Sequence, residues 1–149
     1  MLDTGDPAPD FYLPAVHDPN AEYMLSAAAD AGPVVLAFVP DIAADAQPFL
    51  EELAELDWAA LADQISVFGI GHSRTALQTL LGDLPFPLLH DRDGYVTDLY
   101  GLSDSASGEG PQRALVLADQ QCTIRFAWVA SDTDGSPRLD DLADAIRGL

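Results

Sequence analysis

Residues 34–57 read VVLAFVPDIAADAQPFLEELAELD, a run of six apolar residues closed by a proline and followed by a segment of helical period. Val34 to Val39 lie between Pro33 and Pro40 and carry no polar position. A strand that is apolar throughout, with no alternation, is one covered on both faces, which predicts a central and parallel strand. Beyond Pro40, Phe49, Leu53, Leu56 and Ala60 recur at spacings of three and four, with Glu51, Glu52 and Glu55 between them. That spacing predicts one amphipathic helix reaching Ala60, its acidic side outward.

Upstream, residues 11–16 are a short apolar stretch that turns at Asp18, Pro19 and Asn20, and residues 22–25 return as the second arm of a hairpin. Ser26 is placed to cap the alanine-rich helix that follows. Downstream, 65–70 is β-rich, and a helix through Leu77, Leu80 and Leu81 finds its stop at Gly82. Residues 86–89 form a brief strand, 95–100 two helical turns, and 101–111 a loop rich in Gly and Ser. The apolar stretches 114–117 and 124–129 flank Asp119, Gln120, Gln121 and Cys122, the pattern of a hairpin. After a polar loop at 131–137, Leu139, Leu142, Ala145 and Ile146 mark one face of a closing helix.

Alternating β and α units ending in a hairpin and a helix predict an α/β fold, three-layered, with a mixed central sheet and an N-terminal hairpin. At 149 residues and 48% apolar content, with no repeat or linker, the expectation is one domain over 1–149.

Six basic residues stand against 25 acidic ones, a formal charge of −19, and the bases are Arg74, Arg92, Arg113, Arg125, Arg138 and Arg147 with no lysine. Such an excess repels nucleic-acid phosphates and anionic membranes, so neither is expected as a partner. Carboxylates scattered among apolar positions suit solubility in concentrated salt, which predicts a halophilic source; an acidic mesophilic protein is the plainer reading. The first ten residues, MLDTGDPAPD, are acidic and contain no apolar stretch of the signal-peptide kind, and no apolar run approaches the roughly 20 residues of a membrane span. With one cysteine there is no internal disulfide. A cytoplasmic location is the expectation.

Several pieces recur in one order: Ala8-Pro9-Asp10-Phe11, the strand closing on Pro40, Phe86-Pro87-Leu88-Leu89-His90-Asp91, Tyr100-Gly101, Arg113 opening a strand that ends at Asp119, and Ile124-Arg125-Phe126. Together they resemble the peroxiredoxins, in the alkyl hydroperoxide reductase and thiol-specific antioxidant branch of the thioredoxin superfamily. The resemblance implies a thioredoxin-like fold and thiol-dependent peroxide reduction, by a motif of Pro, three residues, Thr, two residues and the attacking Cys. Counted from Pro40, Ala44 stands at the Thr position and Gln47 at the Cys position. Leu50 falls where the family often has Glu.

Attack on a peroxide needs a polarizable anion at a helix start beside a cation, and a carboxamide supplies neither charge nor nucleophilicity. The resemblance therefore implies a scaffold without the reaction, its pocket still offering helix N–H groups and the family's pocket arginine, Arg113, to a small polar or anionic guest. Pro40 reads as pocket shield or plain strand terminator, Arg113 as pocket cation or surface ion pair, and Gln47 as a solvated helix residue. Cys122, in the hairpin turn where the family has glycine, reads as an inert thiol or as a one-cysteine redox centre served by an external thiol, with Arg125 close enough in sequence to favour a thiolate. A homodimer through the reactive-loop face is a further implication of the resemblance.

No cofactor or metal is expected. His17, His72 and His90 are too dispersed for a ligand motif, although His72 and His90 both follow predicted strands. Residues 69–74, GIGHSR, lack the third glycine of a dinucleotide fingerprint. The two Asp-x-Asp-Gly runs at 91–94 and 132–135 lack the closing glutamate of a calcium loop, having Leu102 and Ala143 there, and read as turns. Trp58 and Trp128 read as packing residues.

Overall fold

The computed structural model of the protein describes residues 4–18, 20–39, 43–56, 58–61, 64–80, 86–91, 94–100, 113–129 and 139–149. Its centre is β3 (Val34–Val39), every residue of which is buried. β3 pairs in parallel with β4 (Ser66–Gly71), Val34 opposite Ser66 and Val39 opposite Gly71. It pairs antiparallel with β6 (Ala114–Ala118), Val34 opposite Ala118 and Phe38 opposite Ala114. With β5 (Leu88–His90) and β7 (Ile124–Val129) outside them, the sheet runs β5-β4-β3-β6-β7 and is mixed as the sequence predicts. An N-terminal hairpin of β1 (Tyr12–Pro14) and β2 (Glu22–Met24) is also present.

Because β3 is apolar on both faces, it serves two cores. Val34, Leu36 and Phe38 pack beneath α1 (Leu25–Ala31), α5 (Tyr95–Leu99) and the hairpin, where Leu13, Leu25, Ala29, Val96 and Tyr100 are buried. Val35, Ala37 and Val39 pack against α2 (Ala43–Ala54), α4 (Arg74–Leu80) and α6 (Leu139–Arg147) through Phe49, Leu50, Leu53, Leu77, Leu80, Leu142 and Ile146. Each large side chain so buried stabilises the fold by about 1.5–3 kcal/mol, which is why the position of β3 is over-determined. Phe38 and Tyr100 rings meet at 5.3 Å, and the Tyr100 hydroxyl donates to the Pro9 carbonyl at 2.7 Å. Trp128 is buried against Phe49 and Trp58 is partly buried, both as packing residues.

Two local expectations fail. The predicted helix to Ala60 stops at Ala54, and α3 (Trp58–Leu61) is a separate turn. The Trp58 indole N–H donates to the Leu53 carbonyl at 3.1 Å, taking the acceptor that the next helical turn would need, while Leu56 N–H bonds three residues back. Ser26 does not cap α1 either. It lies inside the helix, and its N–H and hydroxyl donate to Asp10 Oδ1 and Oδ2 at 3.0 and 2.9 Å, so a residue from a distant loop is the cap. Gly82, the loop 101–111 and the loop 131–137 lie outside the described residues. Among the described residues no helix is long and apolar enough to cross a membrane.

Candidate functional site

The register of β3 against β6 gives the sheet two unlike ends. At the first, β3 ends at Val39 and α2 begins at Ala43, while Arg113 immediately precedes Ala114, the partner of Phe38. Sequence positions more than 60 apart are thus brought to one end. Pro40 lies outside the described residues, and Ala44 is in the first turn of α2. Pro48 sits inside the helix and has no N–H for the carbonyl of residue 44, which leaves that acceptor without its helical partner.

Gln47 does not turn toward Arg113. Its side chain is exposed, and Nε2 donates to Oε1 of Glu51, one helical turn on, at 3.1 Å. This is an ordinary surface pair of a helix, worth a few tenths of a kcal/mol. Arg113 is half-buried, and among the described residues no group accepts a hydrogen bond or forms an ion pair with its guanidinium. Of the four positions carried over from the family, Arg113 and the start of α2 thus lie toward the same end of the sheet, and the Gln47 amide is set in solvent.

At the opposite end of β6, residues 119–123 form the hairpin turn. Asp119 organises it: Oδ1 accepts the N–H groups of Gln121 and Thr123, each at 2.9 Å, and Oδ2 accepts Arg125 Nε at 2.7 Å. Burial raises the affinity of Asp119 for its proton, but the hydrogen bonds from Thr123, Arg125 and Gln121 outweigh it and hold the carboxyl below its ordinary value. Cys122 closes the turn in the left-handed conformation, φ 59°, the one non-glycine among the described residues with a positive φ. That conformation is what a hairpin turn of this shape asks of its last residue, and it is ordinarily met by glycine. The Cys122 carbonyl accepts the Ala8 N–H at 2.7 Å, so the N-terminal segment is sewn over it.

The Cys122 thiol is half-buried and free. Its proton affinity is raised, first by burial and then by the carboxylates of Asp10, Asp119 and Asp30. The expectation that Arg125 favours a thiolate is overturned: its Nε is committed to Asp119, and the charges that act on the sulfur are negative. Tyr100, held up by burial and by Cys122 and Asp10, is likewise kept protonated. Five strand residues of about 3.3 Å each separate Arg113 from the turn, on the order of 17 Å.

His72 and His90 do approach: the His90 ring donates from Nε2 to the His72 carbonyl at 3.1 Å, which makes them neighbours at the ends of β4 and β5. Among the described residues no group of three or more His, Cys, Asp or Glu could hold a metal. Asp91 is a cap: buried, it accepts the N–H groups of Val96 and Thr97 and the Thr97 hydroxyl at 3.3, 2.9 and 2.9 Å. The run 132–135 lies outside the described residues. What the sequence reading missed is the electrostatic influence of Asp10 and Asp30 on Cys122; both come from other elements and carry no local signal.

Compared with known proteins, residues 4–127 match the model of the AhpC/TSA family. Among solved structures the chain is similar to peroxidoxin BcpB from Mycobacterium tuberculosis, with TM-score 0.76 and 22% identity over 100% of this chain and 99% of that one. It is similar to a reduced 2-Cys peroxiredoxin from Plasmodium vivax, with TM-score 0.78 and 18% identity over 98% and 81% of the two chains. Mycobacterium bovis AhpC gives TM-score 0.73 and 15% identity over 98% and 91%. At these identities the likeness is one of fold, and it bears out the thioredoxin-like, three-layered architecture. No curated protein matches.

Proposed function

This chain belongs to the AhpC/TSA family, and on that premise we propose that it is a peroxiredoxin-like protein without thiol-peroxidase activity, acting as a binding or interaction scaffold in a salt-rich cytoplasm. One observation supports the reading: Gln47, which the count from Pro40 sets at the position of the attacking thiolate, is exposed and bonded to Glu51. A carboxamide cannot displace on a peroxide O–O bond, and no other residue at that end of the sheet is a sulfur nucleophile. What remains there is an α2 opening and the half-buried Arg113, a combination that suits a small polar or anionic guest. The charge of −19 without lysine supports the salt-rich setting. A homodimer through the same end is part of the reading, to be measured by light scattering across salt concentrations.

The test is consumption of hydrogen peroxide in the presence of a thiol reductant, at low salt and in multimolar potassium chloride. The expected rate is that of the no-protein control under both conditions. Turnover clearly above it, retained after refolding, sinks the proposal. The alternative, peroxide reduction at Cys122 with an external thiol, has against it the thiol's raised proton affinity and its carboxylate neighbours. On our reading, mass spectrometry after stoichiometric peroxide finds slow and incomplete sulfenic acid formation at Cys122.

A further inference from the structure

Four of the large side chains that remain exposed form one surface. Tyr12 and Met24 are opposite each other in the β1–β2 ladder, and the Tyr95 hydroxyl donates to the Tyr12 carbonyl at 3.1 Å. Leu99 follows Tyr95 by one helical turn on α5. Their exposures are 54% for Tyr12, 37% for Met24, 42% for Tyr95 and 47% for Leu99, so the patch is not an edge effect of one residue. Glu22 shares the outward face of β2 with Met24, and Asp98 is exposed beside Leu99; among the described residues neither carboxylate forms an ion pair. Glu22 and Met24 also border a groove of about 530 Å³ lined by Tyr23, Trp58, Phe68 and Phe86.

We propose that this face of the β1–β2 hairpin and α5 is a docking surface for an arginine- or lysine-bearing segment of another protein that also carries an aliphatic or aromatic anchor. Exposed apolar patches rimmed by charge mark interaction sites, and the two rim charges among the described residues, Glu22 and Asp98, have one sign. The tyrosine faces receive cations as well as apolar side chains, the groove accommodates the anchor, and Glu22 and Asp98 receive the guanidinium or ammonium groups. The occupant follows from the local charge: a second copy seated on this face would set Glu22 and Asp98 of both chains against one another, whereas a basic segment is drawn in. The surface packs on the face of the sheet opposite α2, so its failure and the failure of the inactive-peroxidase reading are separate events.

The probe is a short fluorescein-labelled peptide alternating arginine and leucine, compared with an arginine–glycine peptide and a glutamate–leucine peptide, read by fluorescence anisotropy at low and physiological salt. Two variants of the full chain are compared with the parent, Tyr12→Ser with Leu99→Ser and Glu22→Gln with Asp98→Asn, each checked for an unchanged thermal midpoint. The proposal expects saturable binding of the arginine–leucine peptide alone, weakened roughly tenfold, about 1.4 kcal/mol, in either variant. Equal binding by parent and variants would reveal general attraction to an acidic chain and overturns the proposal, as does absence of binding. Sedimentation showing a dimer that the Tyr12→Ser, Leu99→Ser variant abolishes also overturns it, because the face then belongs to a second copy.

Discussion

The two ends of β6 show opposite relations between backbone and side chain. At the Arg113 end, on the reading proposed above, Gln47 stands where the family's nucleophile would be, and it makes only a surface pair with Glu51. At the Asp119 end a thiol is present, yet it occupies a position whose requirement is conformational, φ 59°, among carboxylates that disfavour its anion. The first end makes no demand on the side chain at 47, because it rests on the burial of β3 and of Phe49, Leu50 and Leu53. At the second end the sulfur is tolerated because the turn is held by Asp119 whatever follows it.

The sharpest way to break that contrast is to remove the group that holds the turn. Asp119→Ala leaves two backbone N–H groups and Arg125 without their acceptor and is expected to cost about 3 kcal/mol in chemical denaturation, the sum of a few net hydrogen bonds of which one is charge-assisted. The pH dependence has a definite sign. With its folded proton affinity lowered, the Asp119 carboxylate contributes fully above the ordinary value of 3.8, and that contribution is lost as pH falls through the lower folded value. The parent should therefore lose stability relative to Asp119→Ala in acid. A gap between the two proteins that stays constant from neutral pH to strong acid would break the assignment.

Much of this was legible in the sequence where burial decides. The strand Val34–Val39 could be read because apolar residues fill both of its faces, and the β6–β7 hairpin because two apolar stretches enclose a polar tetrad. The place given to Gln47 in the motif rests on the count from Pro40 alone. The end of α2 could not, since it depends on an indole reaching back to Leu53, and neither could the cap of α1, supplied by Asp10 from 16 residues away. The surroundings of Cys122 were only partly legible for the same reason: Asp119 stands in the same turn, but Asp10 and Asp30 lie on segments whose approach only the tertiary fold determines. The outward Tyr12, Met24, Tyr95 and Leu99 gave no signal because single exposed hydrophobics are unremarkable in a sequence until register joins them.

A thiol moved from one end to the other sharpens the comparison at intermediate scale. In a Cys122→Ser background, Gln47→Cys places sulfur on the exposed side of α2, away from Asp10, Asp30 and Asp119. Its reaction with a neutral thiol reagent at pH 7 should be roughly tenfold faster than that of Cys122 in the parent, from exposure, with Glu51 as its one carboxylate neighbour among the described residues. Peroxide turnover need not follow, because Ala44 still replaces the motif's hydroxyl residue. Equal rates at the two positions would mean that the electrostatic difference between the ends is immaterial to sulfur.

The smallest effect is expected from Cys122→Gly. Glycine removes the left-handed strain of an L-residue, on the order of 1 kcal/mol, but gives back a similar amount through the freer unfolded chain and the lost contact of a half-buried thiol. The net change should lie within about 0.5 kcal/mol, while Cys122→Ala keeps the strain, loses the thiol and costs about 1 kcal/mol. The pair of variants isolates conformation from chemistry at one position. If glycine were the more damaging of the two, the side chain at 122 would be making contacts that the turn needs, and the view of this end as governed by its backbone would fail.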